Sequence, residues 1–194
     1  AYHKNYMPYA PAGQHLAYLW KAEATRAWEQ HHREGKTDVI TGRFFEPRVS
    51  EEFFDNEKDF DNVHNLIEAD EHQERIAELK NVLRQRQLEL YDSGLLPEQM
   101  RVRRAKENGL MIYDMVRDEK LYPLATYLDA ADLALARDKS NLDTFVGNLS
   151  HDDEGLRWWG IVGLHLLEQE AASATAAFET ALSDDAHEIR MMAA

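Results

Sequence analysis

The side chains with the clearest potential for chemistry lie between Glu57 and Glu68, where acidic and amide groups recur at short intervals. Counted from Glu57, oxygen-bearing side chains occupy positions 1, 3, 5, 9 and 12, namely Glu57, Asp59, Asp61, Asn65 and Glu68. This is the ligand spacing of an EF-hand calcium loop, in which oxygen atoms surround the ion. Asn62 replaces the usual glycine, and His64 stands where an apolar residue is expected. A small calcium-binding module is therefore one hypothesis for this segment.

Asp55, Asp59 and Asn65 also have a structural interpretation, which we favour over a catalytic or metal-binding one. Short Asp and Asn side chains accept hydrogen bonds from nearby backbone amides, and in this way they define turns and cap helices. The three residues follow the aromatic run EEFFD (51–55), which predicts a strand. Under this interpretation they hold together a strand, an acidic turn and a helix.

The composition excludes several other chemistries. The chain has 194 residues and no cysteine, which excludes disulfides, thiolate metal sites and cysteine nucleophiles. Its formal charge of −14 argues against nucleic-acid binding, because phosphate groups are bound by clustered Lys and Arg. No apolar run approaches the roughly 18 residues that a membrane-spanning helix needs. The nine histidines include no pair at the spacing of a metal site, and His31 and His32 are adjacent, so they would diverge on a helix.

The elements that must position these side chains are mainly helical. Strands are predicted at residues 2–6 and 51–55, and they would form only a two-stranded ribbon. Apolar periodicity predicts helices over 16–32, 66–90 (with Asp70 as N-cap) and 124–137. The only basic cluster, Arg101, Arg103, Arg104 and Lys106, is predicted to be solvated or paired with acidic residues rather than to bind a ligand.

An internal repeat occupies the last part of the chain. Six pairs of matching residues lie 33 positions apart: Phe145 and Phe178, Leu149 and Leu182, Ser150 and Ser183, Asp152 and Asp185, Leu156 and Ile189, and Arg157 and Arg190. The spacing predicts two helical hairpins that stack on each other, with an Asp–Arg ladder between them. Trp158 and Trp159 are predicted to be residues of the repeat core and the repeat edge, and His165 is predicted to be packed. Because the second copy stops at Ala194, we expect a truncated repeat with Ile189 partly uncovered.

Two resemblances follow from these motifs. Residues 51–66 resemble the C-terminal pattern of the sulfatase family, Glu-Leu-Tyr-Asp-Leu-x-x-Asp-Pro-x-Glu-x-x-Asn-Leu. Matching residues are Glu52, Asp55, Asp59, Asn65 and Leu66, and the pattern is broken at Asn56, Phe60 and Asn62. NYMPYAPAGQHLAYLWK and RFFEPR also resemble bacterial relatives of the N-sulfoglucosamine sulfohydrolases, so the likeness covers residues 2–97. The 33-residue repeat is similar to HEAT repeats, although Asp153 and Ala186 stand where HEAT turns usually have Pro.

The sulfatase resemblance implies a C-terminal subdomain that is inactive alone. Family members hydrolyse sulfate esters or sulfamates of carbohydrates with a formylglycine made in a Cys/Ser-x-Pro-x-Arg motif, beside a Ca²⁺ ion. That motif does not occur in these 194 residues, so the nucleophile and the metal ligands are expected in a missing N-terminal core. The resemblance also implies a periplasmic or secreted parent protein. If the first region reaches the rim of the substrate cleft, His15, Tyr18, Trp20 and Lys21 are candidates for sugar or sulfate contacts.

The expected organisation is a sulfatase-like subdomain over 1–97, a helical connector over 98–137 and HEAT-like repeats over 138–194. The fold class is mainly α with a small β element of short antiparallel strands. The alternatives to a sulfatase fragment are a helical-repeat module that binds a protein partner and the calcium-binding module described above.

Overall fold

The two aromatic strands pair with each other in the computed structural model, which describes residues 1–194. β1 (Tyr2–Lys4) and β2 (Glu51–Phe53) form a two-stranded antiparallel sheet in which Tyr2 faces Phe53 and Lys4 faces Glu51. Phe53 and the following Phe54 are buried, as expected for the apolar residues of a strand end. The predicted ribbon is confirmed, and both strands are shorter than the sequence indicates.

The first predicted helix is interrupted. A 3-10 turn over Leu19–Lys21 is followed by Ala22 in an extended conformation, with ψ at 129°, and α1 then covers Glu23–Arg33. Apolar periodicity does not detect such a break, because the side chains on both sides of it still recur at helical intervals.

The prediction of Asp70 as an N-cap is wrong. Asp70 lies inside a 3-10 turn, Asp70–His72, whose N-cap is Ala69 and has no side-chain cap bond. The Gln73 side-chain amide instead donates to the carbonyl oxygens of Ile67 (2.8 Å) and Ala69 (3.2 Å), which holds this turn against the start of the long helix. That helix therefore begins several residues after the predicted start.

The chain is mainly helical, as the sequence predicts. After α1 the helices are α2 (Val39–Gly42), α3 (Gln73–Leu90), α4 (Glu98–Glu107), α5 (Ile112–Met115), α6 (Leu124–Leu135), α7 (Leu142–Asn148), α8 (Glu154–Leu166), α9 (Thr175–Ala181) and α10 (His187–Ala193). A 3-10 helix, Glu168–Ala174, leads into α9. No helix has the length and apolar character needed to cross a membrane.

Two compact units divide the chain, Ala1–Lys80 and Asn81–Ala194. The division falls inside α3, between Lys80 and Asn81. The domain boundaries predicted after residues 97 and 137 stay predictions. The first unit contains the two-stranded sheet, and the second contains α4 to α10.

The core of the second unit is built where α8 packs against α6 and α7. Two glycines on α8 permit this close packing. A Cβ atom at Gly163 would lie 2.6 Å from the Phe145 ring, and one at Gly155 would lie 2.7 Å from the Tyr127 ring. The helices therefore approach more closely than any larger residue at these positions would allow.

Burial within the repeat differs in two places from the prediction. Trp158 is half-buried and Trp159 is 2% exposed, so Trp159 is the core residue of the two and Trp158 lies at the edge. His165 was predicted to be packed but is exposed. Ile189 was predicted to be partly uncovered but is 0% exposed, since α10 packs against α8 and α9.

Candidate functional site

Arg104 on α4 is the buried centre of a polar network in the second unit. Its side chain is 11% exposed, and Nη1 donates to the Tyr127 hydroxyl (2.5 Å) and to the Leu121 carbonyl oxygen (2.8 Å). Carboxylate oxygens of Asp153 and Glu154 lie 3.4 and 3.3 Å from the guanidinium. Burial lowers the pKa of Arg104, but Tyr127 and the two carboxylates raise it by more, so the pKa lies above its ordinary value. The positive charge of Arg104 is therefore balanced by two carboxylates.

Asp153 belongs both to this network and to the start of α8. Its carboxylate accepts hydrogen bonds from the amides of Gly155 (2.7 Å) and Leu156 (3.2 Å), which is the geometry of an N-cap. The Tyr127 hydroxyl donates to the same carboxylate at 2.8 Å. Because burial raises the pKa of Tyr127 far above its ordinary value, the hydroxyl keeps the proton that it donates. Three helices, α4, α6 and α8, therefore meet at one carboxylate.

Arg103, the neighbour of Arg104, joins α4 to two further acidic side chains. It lies 2.6 Å from Glu154 and 3.3 Å from Glu188, whose side chain is only 7% exposed. Burial lowers the pKa of Arg103, but the hydrogen bonds to both carboxylates outweigh it and the pKa is raised. These contacts confirm that the basic cluster pairs with the acidic remainder of the chain, at least for its two central members.

Each copy of the repeat uses its arginine in the same way. Arg157 Nη1 donates to the carbonyl oxygens of His151 and Asp152, both at 3.0 Å. Arg190 Nη1 donates to the carbonyl oxygens of Asp184 and Asp185, which are the residues 33 positions further on. The arginine at the start of each second helix therefore closes the turn that precedes it.

Arg157 also links the two copies. Its Nε and Nη2 donate to the two carboxylate oxygens of Asp184, at 2.7 and 3.1 Å. The bonds with Asp184 raise the pKa of Arg157, in spite of the opposing effect of burial. The ladder predicted between Asp152, Arg157, Asp185 and Arg190 is thus realised with Asp184, and not with either of the two aligned aspartates.

Two clefts open on either side of Arg157. One, of about 320 Å³, is lined by charged residues: Arg104, Lys120, Asp152, Asp153, Glu154 and Arg157. The other, of about 480 Å³, lies between the turns of the two copies and is lined by residues that include Ser150, His151, Asp152, Ser183, Asp184 and Asp185. His151 Nδ1 accepts a bond from the Asp153 amide (2.9 Å), so this ring nitrogen serves the turn. The arrangement suits polar recognition and contains no pairing of a serine with a base.

The four candidates for the substrate rim lie in the first unit. The ring of His15 lies against that of Trp20, with centroids 4.7 Å apart, and the Trp20 indole N–H donates to Glu29 at 2.7 Å. The ring of Trp20 and its indole N–H, the two groups that could bind a sugar, are therefore both in contact with other residues of the chain. Tyr18 is 73% exposed and Lys21 is exposed, so these two side chains are available to a ligand.

The acidic turn is held to β2 by the side chain of Asn65. Its Oδ1 accepts bonds from the amides of Phe53 (2.9 Å) and Ile67 (3.1 Å), and Nδ2 donates to the Glu51 carbonyl oxygen at 3.3 Å. The turn itself is closed by Asp59, whose two oxygens accept from the amides of Val63 (3.0 Å) and His64 (2.7 Å).

Asp55 has a smaller part in the same turn. It accepts from the Glu57 amide at 3.2 Å and pairs with Lys58 at 3.1 Å. The hydrogen bond with Lys58 and then that of the Glu57 amide lower the pKa of Asp55. These bonds are those of a local turn, in which the carboxylate serves the backbone around it.

The calcium hypothesis gains no geometric support. No group of three or more His, Asp or Glu side chains in the chain is arranged to hold a metal ion. Of the five proposed ligands, Asp59 and Asn65 direct their oxygens at backbone amides, and Glu57, Asp61 and Glu68 are exposed.

Comparison with protein-family models, with curated proteins and with solved structures finds no match.

Two residues of the network are missed by sequence reasoning. Tyr127 lies within an Ala- and Leu-rich helix, where an aromatic residue predicts only a core contact. Asp184 stands opposite His151 in the alignment of the two copies, so the alignment gives no signal for it. A usable signal exists for Asp184, because the Ser-Asp-Asp turn offers two neighbouring carboxylates as partners for the arginine in the first turn of α8.

Proposed function

We propose that the chain is the C-terminal part of a sulfatase-like hydrolase that acts on sulfate esters or sulfamates of carbohydrates, and that it is inactive alone. The observation that supports this most is the order of a short strand, an acidic turn and a helix, with Asn65 bonded to both ends of β2. Asn65 matches the sulfatase pattern, and so does Asp59, which closes the turn through the amides of Val63 and His64. Their contacts explain why the pattern places Asp and Asn at these positions.

The small size of the two-stranded sheet also supports the proposal that a further domain packs against it. Two strands alone are marginally stable in water, and three or more strands or a covering helix are usually needed. Under the proposal the N-terminal core supplies the remaining strands. The core would also supply the formylglycine and the Ca²⁺ site, while this chain supplies structure and, through Tyr18 and Lys21, contacts at the rim of the substrate cleft. The parent protein would be periplasmic or secreted.

The proposal is tested at the level of the gene and of the protein. The DNA upstream of the Ala1 codon is expected to encode, in frame, a core with the Cys/Ser-x-Pro-x-Arg motif, and an open reading frame without it would overturn the proposal. The chain alone is expected to release no sulfate from an aryl sulfate or from N-sulfoglucosamine. Measurable turnover by the isolated chain would show that a catalytic group lies within it.

The second unit favours an additional function as a helical-repeat module that binds a protein partner. The repeated use of Arg157 and Arg190 supports a HEAT-like stack, and the cleft of about 480 Å³ runs along the turns of that stack. Charge reversal at Asp152 and Asp185 is expected to leave the kcat of the complete enzyme unchanged, because no catalytic group lies in this cleft. A fall in kcat would assign the cleft to the enzyme instead.

A further inference from the structure

The outer face of the second helical pair differs from that of the first in a way that indicates a further partner. In the first copy, Arg157 uses Nη1 for its own turn and the remaining nitrogens for Asp184 of the next copy. In the second copy, Arg190 Nη1 closes its own turn in the same manner. No carboxylate of the chain lies within salt-bridge distance of Arg190, so its Nε and Nη2 lack the direct bonds that Arg157 makes with Asp184, although the charge of Arg190 contributes to lowering the pKa of Asp184.

Burial follows the same pattern at the apolar positions. Three apolar residues of the first copy are more buried than their counterparts 33 positions later: Phe145 is buried and Phe178 half-buried, Leu149 is half-buried and Leu182 46% exposed, Trp158 is half-buried and Met191 75% exposed. The pair Leu156 and Ile189 is reversed, because Ile189 faces the core and is 0% exposed whereas Leu156 is half-buried. The first copy is covered by the second, through contacts of α8 with α10 and of α7 and α8 with the 3-10 helix before α9. The outer face of α9 and α10 presents the corresponding surface without a cover.

We propose that this face, formed by Phe178, Leu182, Arg190 and Met191, docks a third helical pair of the same type, with an aspartate in its turn that binds Arg190. The interface between the first and second copies is the template: an apolar contact between helices and a two-point bond from arginine to aspartate. A second copy of this chain does not meet these requirements. Its first pair is already covered by α6, so it offers no free helical pair with an aspartate in its turn for this face.

This inference deepens the second candidate function, on which it rests, and is independent of the sulfatase assignment. The occupant is defined by its chemistry: two antiparallel helices, a carboxylate in the connecting turn at the position of Asp184, and an apolar face for Leu182 and Met191. In repeat arrays each unit is stabilised mainly by its neighbours, so a docked pair should order the terminal helix α10.

The test extends the full chain after Ala194 by a second copy of residues 162–194, which keeps the 33-residue period. Because the added pair is covalently linked, its effective concentration is high and weak docking is measurable. We expect the helical signal in circular dichroism to rise in proportion to the added residues and amide exchange in His187–Ala193 to slow about tenfold, the effect of a modest gain in local stability. The midpoint of thermal unfolding should rise by about 2–4 °C.

Two variants assign the effect to Arg190. In the extended chain, Arg190→Gln and an Asp→Asn change at the added position that corresponds to Asp184 should each remove most of the exchange protection, and together they should remove little more. Arg190→Lys should retain little of the exchange protection, because an ammonium group cannot form the two-point bond with a carboxylate. In the unextended chain, Arg190→Gln is expected to lower the unfolding midpoint by less than in the extended chain.

Three outcomes would overturn the proposal. The first is an added pair that remains unstructured while exchange in α10 is unchanged. The second is docking that is insensitive to both Arg190→Gln and the Asp→Asn change. The third is a concentration-dependent dimer of the unextended chain, detected by light scattering and disrupted by Met191→Asp, which would identify a second copy as the occupant. None of these outcomes bears on sulfate release, so failure here is distinguishable from failure of the sulfatase proposal.

Discussion

Arg157 and Asp184 form a two-point ion pair that joins the two helical pairs of the C-terminal unit, with N···O distances of 2.7 and 3.1 Å. Both side chains are largely shielded, at 16% and 9% exposure. Asp184 also accepts a bond from the amide of Ala186, the residue before α10, at 2.8 Å, so the same carboxylate ties the start of α10 to α8. A single aspartate thus links local helix geometry to the packing of the repeat.

Replacing Arg157 by Gln should destabilise the C-terminal unit by about 2–3 kcal/mol, because Asp184 would remain shielded without its cation. Urea unfolding followed by circular dichroism measures the loss. Arg190→Gln is the matched control, since Arg190 makes the same bonds to its own turn and forms no direct bond with a carboxylate. Equal losses for the two variants would contradict a specific role for the ion pair.

The same carboxylate predicts a pH dependence. Burial raises the pKa of Asp184, but the bonds from Arg157 and from the Ala186 amide lower it by more, so its pKa in the folded chain lies below the ordinary value of 3.8. The stabilisation is therefore fully present above the unfolded-state pKa and is lost as the pH falls through the lower, folded-state pKa. Asp184→Asn should show a shallower loss of stability than the wild-type chain as the pH is lowered below 3.8. Parallel pH profiles of the unfolding free energy would contradict the assignment.

Tyr127→Phe should cost about 1–3 kcal/mol, because the change removes one bond to buried Arg104 and one to Asp153 without changing the ring. Thermal unfolding monitored by circular dichroism measures the effect. Tyr113→Phe provides the control, since this tyrosine is 67% exposed, and its effect should stay within about 0.5 kcal/mol. A neutral Tyr127→Phe variant would show that the network contributes nothing to stability.

Asn65→Ala should loosen the acidic turn from β2, because Asn65 accepts from the Phe53 and Ile67 amides. Hydrogen exchange measured by NMR is expected to become faster at these two amides. Asp61→Ala, at an exposed side chain in the same segment, should leave both rates unchanged. Unchanged exchange in the Asn65 variant would remove the structural explanation for the sulfatase-like pattern.

Calcium titration by isothermal calorimetry should give no heat at millimolar ion concentrations. The reason is that the oxygens of Asp59 and Asn65 accept bonds from backbone amides, which a bound ion would have to replace. A saturable heat that Asp59→Asn abolishes would restore the calcium-binding alternative.

Several local features were predictable from the residues that form them. The aromatic run at 51–55 predicted its strand because large apolar side chains bordered by turn residues favour extended structure. The Ala- and Leu-rich segment at 124–137 predicted α6, which ends at Leu135, because these residues have high helix propensity. The helix break at Ala22 was not predicted, because it depends on a single backbone dihedral. Asp70 was wrongly predicted as an N-cap, because the side chain of Gln73 makes the hydrogen bonds at this helix start instead.

The candidate site was predicted only in part. The basic cluster was expected to meet acidic residues, but the sequence offered no means of choosing Glu154 and Glu188 as the partners of Arg103. Salt-bridge partners far apart along the chain are selected by the angle and distance between packed helices. The chain outside the 33-residue repeat contains no further repeat from which the angles and distances between helices could be inferred.

By itself, the sequence determined the mainly helical class, the strand pair, the 33-residue repeat and the absence of cysteine chemistry, because each depends on residue type and spacing along the chain. Only the tertiary structure decided that Arg157 pairs with Asp184, that Tyr127 connects Arg104 to Asp153, and that Arg190 has no such partner. The physical reason is geometric. A guanidinium binds the carboxylate that packing places within about 3 Å, and a shift of one residue in the turn between two helices changes which carboxylate that is.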